Sequence, residues 1–175
     1  MAKNKTLLSL VFSLVFLTCF GQHQLRTELQ QVYTSEIGVR EASGRNDGAR
    51  VETFLRYVKL GKGNPWCAAF VCWSLNQVKI KNPRSGWSPA LFPVGSVIYQ
   101  PSARKKQPPQ SGDVFGIWFA SKKRIAHVGF VDSWGTNYCT TVEGNTNEAG
   151  SREGDGVYRK KRLIRQIYAV SSYIK

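Results

Sequence analysis

Apolar positions change their rhythm along this chain, from an unbroken run, to helical spacing, to the alternation of strands. Leu7 to Leu17 is apolar apart from serines and follows Lys3 and Lys5. Leu25, Leu29, Val32 and Tyr33 then recur at helical spacing, which predicts a helix over Gln24–Glu36. Asn46-Asp47-Gly48 reads as a turn and N-cap for a second helix, Ala49–Leu60, whose Val51, Phe54, Leu55 and Val58 form one stripe. Asn64 as N-cap and Pro65 in the first turn predict a third helix, Trp66–Val78, which is apolar nearly all round and so buried. Ile80 to Gln110 loses this order. Its prolines and the aromatics Trp87, Phe92 and Tyr99 predict a long ordered excursion over the surface. Strand-like runs follow at Asp113–Phe119, Ile125–Trp134, Tyr138–Glu143, Val157–Lys161 and Gln166–Tyr173. Helices first and consecutive strands afterwards imply an α+β fold with an antiparallel sheet.

The opening run reads as a secretory leader, residues 1–21, with small residues at Cys19 and Gly21 before a cut at Gln22. It is short for a membrane span, so the expectation is export without stable membrane insertion. An uncleaved anchor is the competing reading. A lipoprotein cleaved ahead of Cys19 fits poorly, because Phe16, Leu17 and Thr18 make a weak lipobox. The remainder, 22–175, suits one monomeric domain.

Composition narrows the partners. Forty-two per cent hydrophobic and 21% charged residues exclude a disordered chain. The net charge is +14, and losing Lys3 and Lys5 with the leader still leaves a strongly basic protein. Such a charge favours polyanions, and export selects the cell wall over nucleic acid. Arg104-Lys105-Lys106, Lys122-Lys123-Arg124 and Arg159-Lys160-Lys161-Arg162 read as solvated clusters on turns and an edge, with no nucleic-acid partner. Three cysteines remain after cleavage, Cys67, Cys72 and Cys139. The odd count leaves a thiol unpaired; a Cys72–Cys139 bridge and three free thiols are both open.

Cys67 falls in the first turn of the predicted third helix, where unsatisfied N–H groups and the helix dipole favour a thiolate. Cys72, five residues on in mid-helix, has no activating feature. Of the two histidines, His23 sits near the start of the processed chain, so His127 is the candidate base. Glu143 and Asn145, two apart on the next strand, are expected to share a face. Glu143 could orient the imidazole, and Asn145 could donate to an oxyanion or act as the orienter instead. One usable histidine and a Cys-x4-Cys pair do not make a metal site, and no cofactor-binding fingerprint is present.

Pro65-Trp66-Cys67-Ala68-Ala69-Phe70-Val71, Ser111-Gly112-Asp113-Val114, His127-Val128-Gly129 and Val142-Glu143-Gly144-Asn145 together resemble the CHAP amidase/peptidase domains of the papain-like NlpC/P60 cell-wall hydrolases. The likeness runs from about Leu25 to Tyr173, and Glu36 to Gly48 resembles the leading segment of such proteins. It implies a papain-like fold that cleaves amide bonds of peptidoglycan without a cofactor. By motif, Cys67 matches the nucleophile, His127 the base, Glu143 the orienting acid and Asn145 a further polar site residue. Trp66 and Trp87 are marked for substrate contact. The competing readings are an inert, basic wall-binding module of the same fold and an acyl transferase using the same residues.

Overall fold

The computed structural model describes residues 20–102, 107–148 and 154–174. Most of the leader and the Arg104-Lys105-Lys106 tip lie outside the described residues. Helix α1 covers residues 20–35, α2 Ala49–Tyr57 and α3 Cys67–Gln77. Six strands follow: β1 Val97–Tyr99, β2 Val114–Phe119, β3 Arg124–Trp134, β4 Tyr138–Thr146, β5 Gly156–Leu163 and β6 Ala169–Ser171. They form one antiparallel sheet in the order β1-β6-β2-β3-β4-β5. The fold is α+β, as the switch in period implies.

Helix α3 is the centre of the molecule. Cys67 through Cys72, Ser74 and Leu75 are all buried, because α2 covers one side of the helix and β3 and β4 the other. Phe54 of α2 meets the rings of Trp66, Phe70 and Trp73, with centroids 5.7, 5.5 and 5.0 Å away. Phe70 in turn meets Phe130 of β3 edge-on at 6.0 Å. Gly144 permits this closeness on the β4 side. A Cβ there would sit 2.6 Å from the Trp66 ring and 2.9 Å from Phe70. The catalytically suggestive helix is therefore wedged between two aromatic layers.

Helix α1 docks through Leu29 and Tyr33, which are fully buried. Tyr33 stacks on Phe130 at 4.6 Å, and its hydroxyl meets Ser111 at 2.9 Å. Arg26 pairs with Asp113 at 3.0 Å, and Gln30 donates to Asp132 at 2.9 Å. These polar contacts fix where β2 begins and β3 ends. Tyr99, Phe115, Val131, Cys139, Ile167 and Val170 form a second, smaller apolar cluster.

Two local expectations need correction. Neither α2 nor α3 has a side-chain N-cap: Gly48 and Trp66 occupy the cap positions. Asp47 instead accepts from the Ser43 backbone and hydroxyl, and Asn64 donates to Gly61 O. The stretch from Ile80 is also more than a surface excursion. It contributes the edge strand β1, buries Leu91 completely and brings Ser88 to the start of α3. Three residues near Pro93 and Pro101 carry too short a pattern to announce a strand, and an edge position is where neighbouring prolines are tolerated. All three described cysteines are free. Cys72 faces Ser85 O, while Cys139 belongs to the second cluster, so no bridge joins them.

Candidate active site

Cys67 is the first residue of α3 and is only 5% exposed. The Ser88 hydroxyl lies 3.7 Å from its sulfur, and the Val128 backbone and the His127 ring also reach it. His127 stands on β3, where β2 pairs Ile117 with it in register. One ring nitrogen, Nε2, is 2.7 Å from Glu143 Oε2, which leaves Nδ1 for the sulfur. Phe115 flanks the imidazole edge-on at 6.3 Å. The sequence thus brings a thiol, an imidazole and a carboxylate together from a helix and two neighbouring strands.

Glu143 is fully buried and has no lack of donors. Thr141 Oγ1 donates to Oε1, and the Arg162 guanidinium donates through Nε to Oε1 and through Nη2 to Oε2. Burial alone would raise this carboxyl. The Arg162 and His127 hydrogen bonds and charges outweigh it and hold it well below the usual carboxylate range. His127 is pushed up to about 9: burial opposes its charge, but the bonds and charges of Cys67 and Glu143 prevail. The Cys67 thiol is lowered despite burial, chiefly by His127, with Ser88 and Val128 helping. The arrangement favours a thiolate–imidazolium pair at neutral pH. By contrast, burial pushes Cys72 and Cys139 up to about 11.

Asn145 does not follow the alternation expected of it. Register slips between Glu143 and Thr146, and Asn145 adopts a left-handed backbone at φ 54°. Its Oδ1 accepts the Trp66 N–H at 3.3 Å, and its Nδ2 donates to Asn46 Oδ1 at 2.8 Å and Glu41 Oε1 at 3.4 Å. The amide therefore ties the start of α3 to the segment before α2, with its Nδ2 engaged by Asn46 and Glu41. Trp66 also departs from expectation. It is fully buried, with Nε1 donating to Glu41 at 2.8 Å, so it supports the helix start and cannot touch a substrate. Trp87 is 53% exposed beside Ser88, with the Arg124 guanidinium 4.0 Å above its ring.

An open groove of about 810 Å³ passes over Cys67 and His127. Asn145, Arg162, Trp118 and Tyr168 are among the residues that line it.

The model of the CHAP domain family matches residues 59–145, which hold Cys67, His127 and Glu143. The chain carries a CHAP domain. CHAP domains are generally hydrolases of peptidoglycan. No curated protein and no solved structure matches the chain. The CHAP match ends before Arg162 and begins after Glu41 and Asn46, yet all three bond directly to residues within it. Arg162 was hidden in a basic run that reads as solvated. The signal that could have exposed it is alternation: Tyr158, Lys160 and Arg162 are half-buried, while Arg159 and Lys161 face solvent. Ser88 gave no sign beyond its place in the aromatic stretch. Among the described residues no helix is long and apolar enough to cross a membrane, and no cluster of His, Cys, Asp and Glu suits a metal ion.

Proposed function

We propose that this chain is an exported peptidoglycan hydrolase that cuts an amide bond by cysteine chemistry, led out by residues 1–21 and working over 22–175. The observation that carries the reading is the position of His127 between Cys67 and the buried, ionised Glu143. The Cys67 thiolate attacks the carbonyl carbon of the scissile amide. Backbone N–H groups of the first turn of α3, which have no intrahelical partners, stabilise the oxyanion. The His127 imidazolium gives its proton to the departing amine, leaving a thioester on Cys67. Water then adds to the thioester with His127 as base, and the thiolate is restored.

Glu143 holds the imidazole in one orientation and stabilises its charge, and Arg162 keeps Glu143 ionised. Asn145, Asn46 and Glu41 hold the helix start on which the sulfur sits. The test is digestion of purified peptidoglycan by the protein and by Cys67→Ala, with mass analysis of the released fragments. New amino termini that require Cys67 establish the hydrolase and name the bond. If neither protein releases fragments and both still sediment with the wall, the reading gives way to an inert binding module.

A further inference from the structure

The groove has a second wall that the bond-breaking steps do not use. Trp118 near the end of β2 and Tyr168 just before β6 are 43% and 42% exposed. Their rings lie 4.9 Å apart, tilted by 32°. The Tyr168 N–H donates to Gly116 O at 2.9 Å, which fastens this ledge to β2. Register explains its placement. Ile117 pairs with His127 but Trp118 pairs with Ile125, so Ala126 is left over as a bulge. Bulges of this kind re-aim side chains, and here Trp118 is set one residue from the strand partner of the histidine. Two large aromatics exposed side by side in a groove form a surface that a ligand can cover.

Charge defines the ligand. Lys122, in the turn after β2, and Arg165, in the turn between β5 and β6, line the same groove. Neither makes an ion pair or hydrogen bond with a described residue. The other charges of the site are matched: the Cys67 thiolate by His127, and Glu143 by Arg162. The two unmatched cations therefore set the sign of the field along the groove. An arginine fork suits a carboxylate, and a lysine adds a point charge beside it.

We propose that this wall is a subsite for a carboxylate-bearing peptide, with Arg165 and Lys122 binding its carboxylate and the Trp118–Tyr168 pair covering its apolar part. The hydrolase reading enters only in taking the bound peptide to be the one whose amide reaches Cys67. Substrate recognition on this wall would be through the peptide's acidic groups, and masking those groups as amides would weaken it.

Binding to the non-cleaving Cys67→Ala protein tests this, measured by calorimetry. The probes are soluble stem peptides prepared from purified peptidoglycan, with carboxylates either free or converted to amides. The free form is expected to bind about tenfold more tightly, as loss of a charged hydrogen bond implies. In Cys67→Ala carrying Lys122→Gln and Arg165→Gln the difference should close to about twofold, while Trp118→Ala should weaken both forms alike. Equal binding of the two forms by Cys67→Ala, or a difference that survives in the Lys122→Gln, Arg165→Gln protein, overturns the subsite. Because no turnover is involved, failure of the native chain to digest peptidoglycan counts against the hydrolase alone. Digestion without a preference for free carboxylates counts against the subsite alone.

Discussion

Arg162 grips both oxygens of Glu143, the carboxylate that holds His127 in place. In register Arg162 lies opposite Cys139, four residues from Glu143 on β4, so a long side chain is needed to span the gap. The grip explains how a fully buried carboxylate stays ionised beside an apolar core.

Replacing Arg162 should therefore move a pH profile as well as a rate. Glu143 is depressed, so the stability it contributes is present above its unfolded value of about 4.3 and is lost as pH falls through the lower folded value. In Arg162→Ala the carboxyl rises, and acid unfolding should begin at a higher pH than in the native protein. The cost in stability near neutral pH should be about 3 kcal/mol, the scale for breaking a buried ion pair on one side. The acid limb of kcat/KM should also shift upward, because a protonated Glu143 no longer supports the imidazolium. Arg162→Lys restores the charge without the fork and should recover the acid limb more fully than the maximal rate. Unchanged acid limbs in both variants would reduce Arg162 to a structural tether. Urea unfolding against pH and steady-state kinetics across pH make the comparison.

Gly144 separates helix α3 from β4 by less than a methyl group. A Cβ there would stand 2.6 Å from the Trp66 ring and 2.9 Å from Phe70, whose side chains are both fully buried. Gly144→Ala should cost about 2 kcal/mol from overpacking, a fall in Tm of about 4–8 °C for a domain of this size. It should also lower kcat, since Cys67 follows Trp66 and a displacement of about 1 Å can cost roughly a hundredfold in rate. Gly61→Ala is the control: a Cβ there meets nothing within 4 Å, so stability and rate should hold. Calorimetry with a peptidoglycan digestion assay checks both.

The elements that sequence makes legible are those with strong local patterns. Trp66 to Val78 is apolar nearly all round, and the helix found there is buried from Cys67 to Leu75 apart from the half-buried Trp73, with Asn76 and Gln77 exposed at its end. Strands β2 to β5 fall within a few residues of the runs that announced them. Cys67, His127 and Glu143 could be picked out because a thiol at a helix start needs a base, and few candidates exist in the chain. What stayed hidden depends on contacts between distant residues. Arg162 resembles its solvated neighbours until the pairing of β5 with β4 brings it to a buried carboxylate. Asn145 looks like a partner of Glu143 until a bulge and a left-handed backbone turn it to Trp66 and Asn46. Trp66 reads as a substrate contact because local sequence cannot show Phe54 packed over it. Periodicity reports which face is buried and says nothing of which buried polar groups meet.

The three described thiols offer a direct reading of the charge state of the site. Cys67 is lowered by His127, whereas burial holds Cys72 and Cys139 up at about 11. At pH 6, iodoacetamide should therefore modify Cys67 at least about tenfold faster than the other two, with the modified residue assigned by peptide mass mapping. His127→Ala removes the largest influence lowering Cys67, so labelling at pH 6 should fall to the level of the buried pair. The converse holds for the imidazole. His127 is raised to about 9, so the stability carried by its charge is full below about 6.5 and is lost as pH rises through 9. Among the groups that raise it, Cys67 stands first. Cys67→Ala should bring the His127 titration down by about one unit or more, followed by NMR, and the chain's two histidines keep the assignment simple. A His127 titration unmoved by Cys67→Ala, together with equal labelling of all three thiols, would show that sulfur and ring are not an ion pair, and the nucleophile would lose its activation.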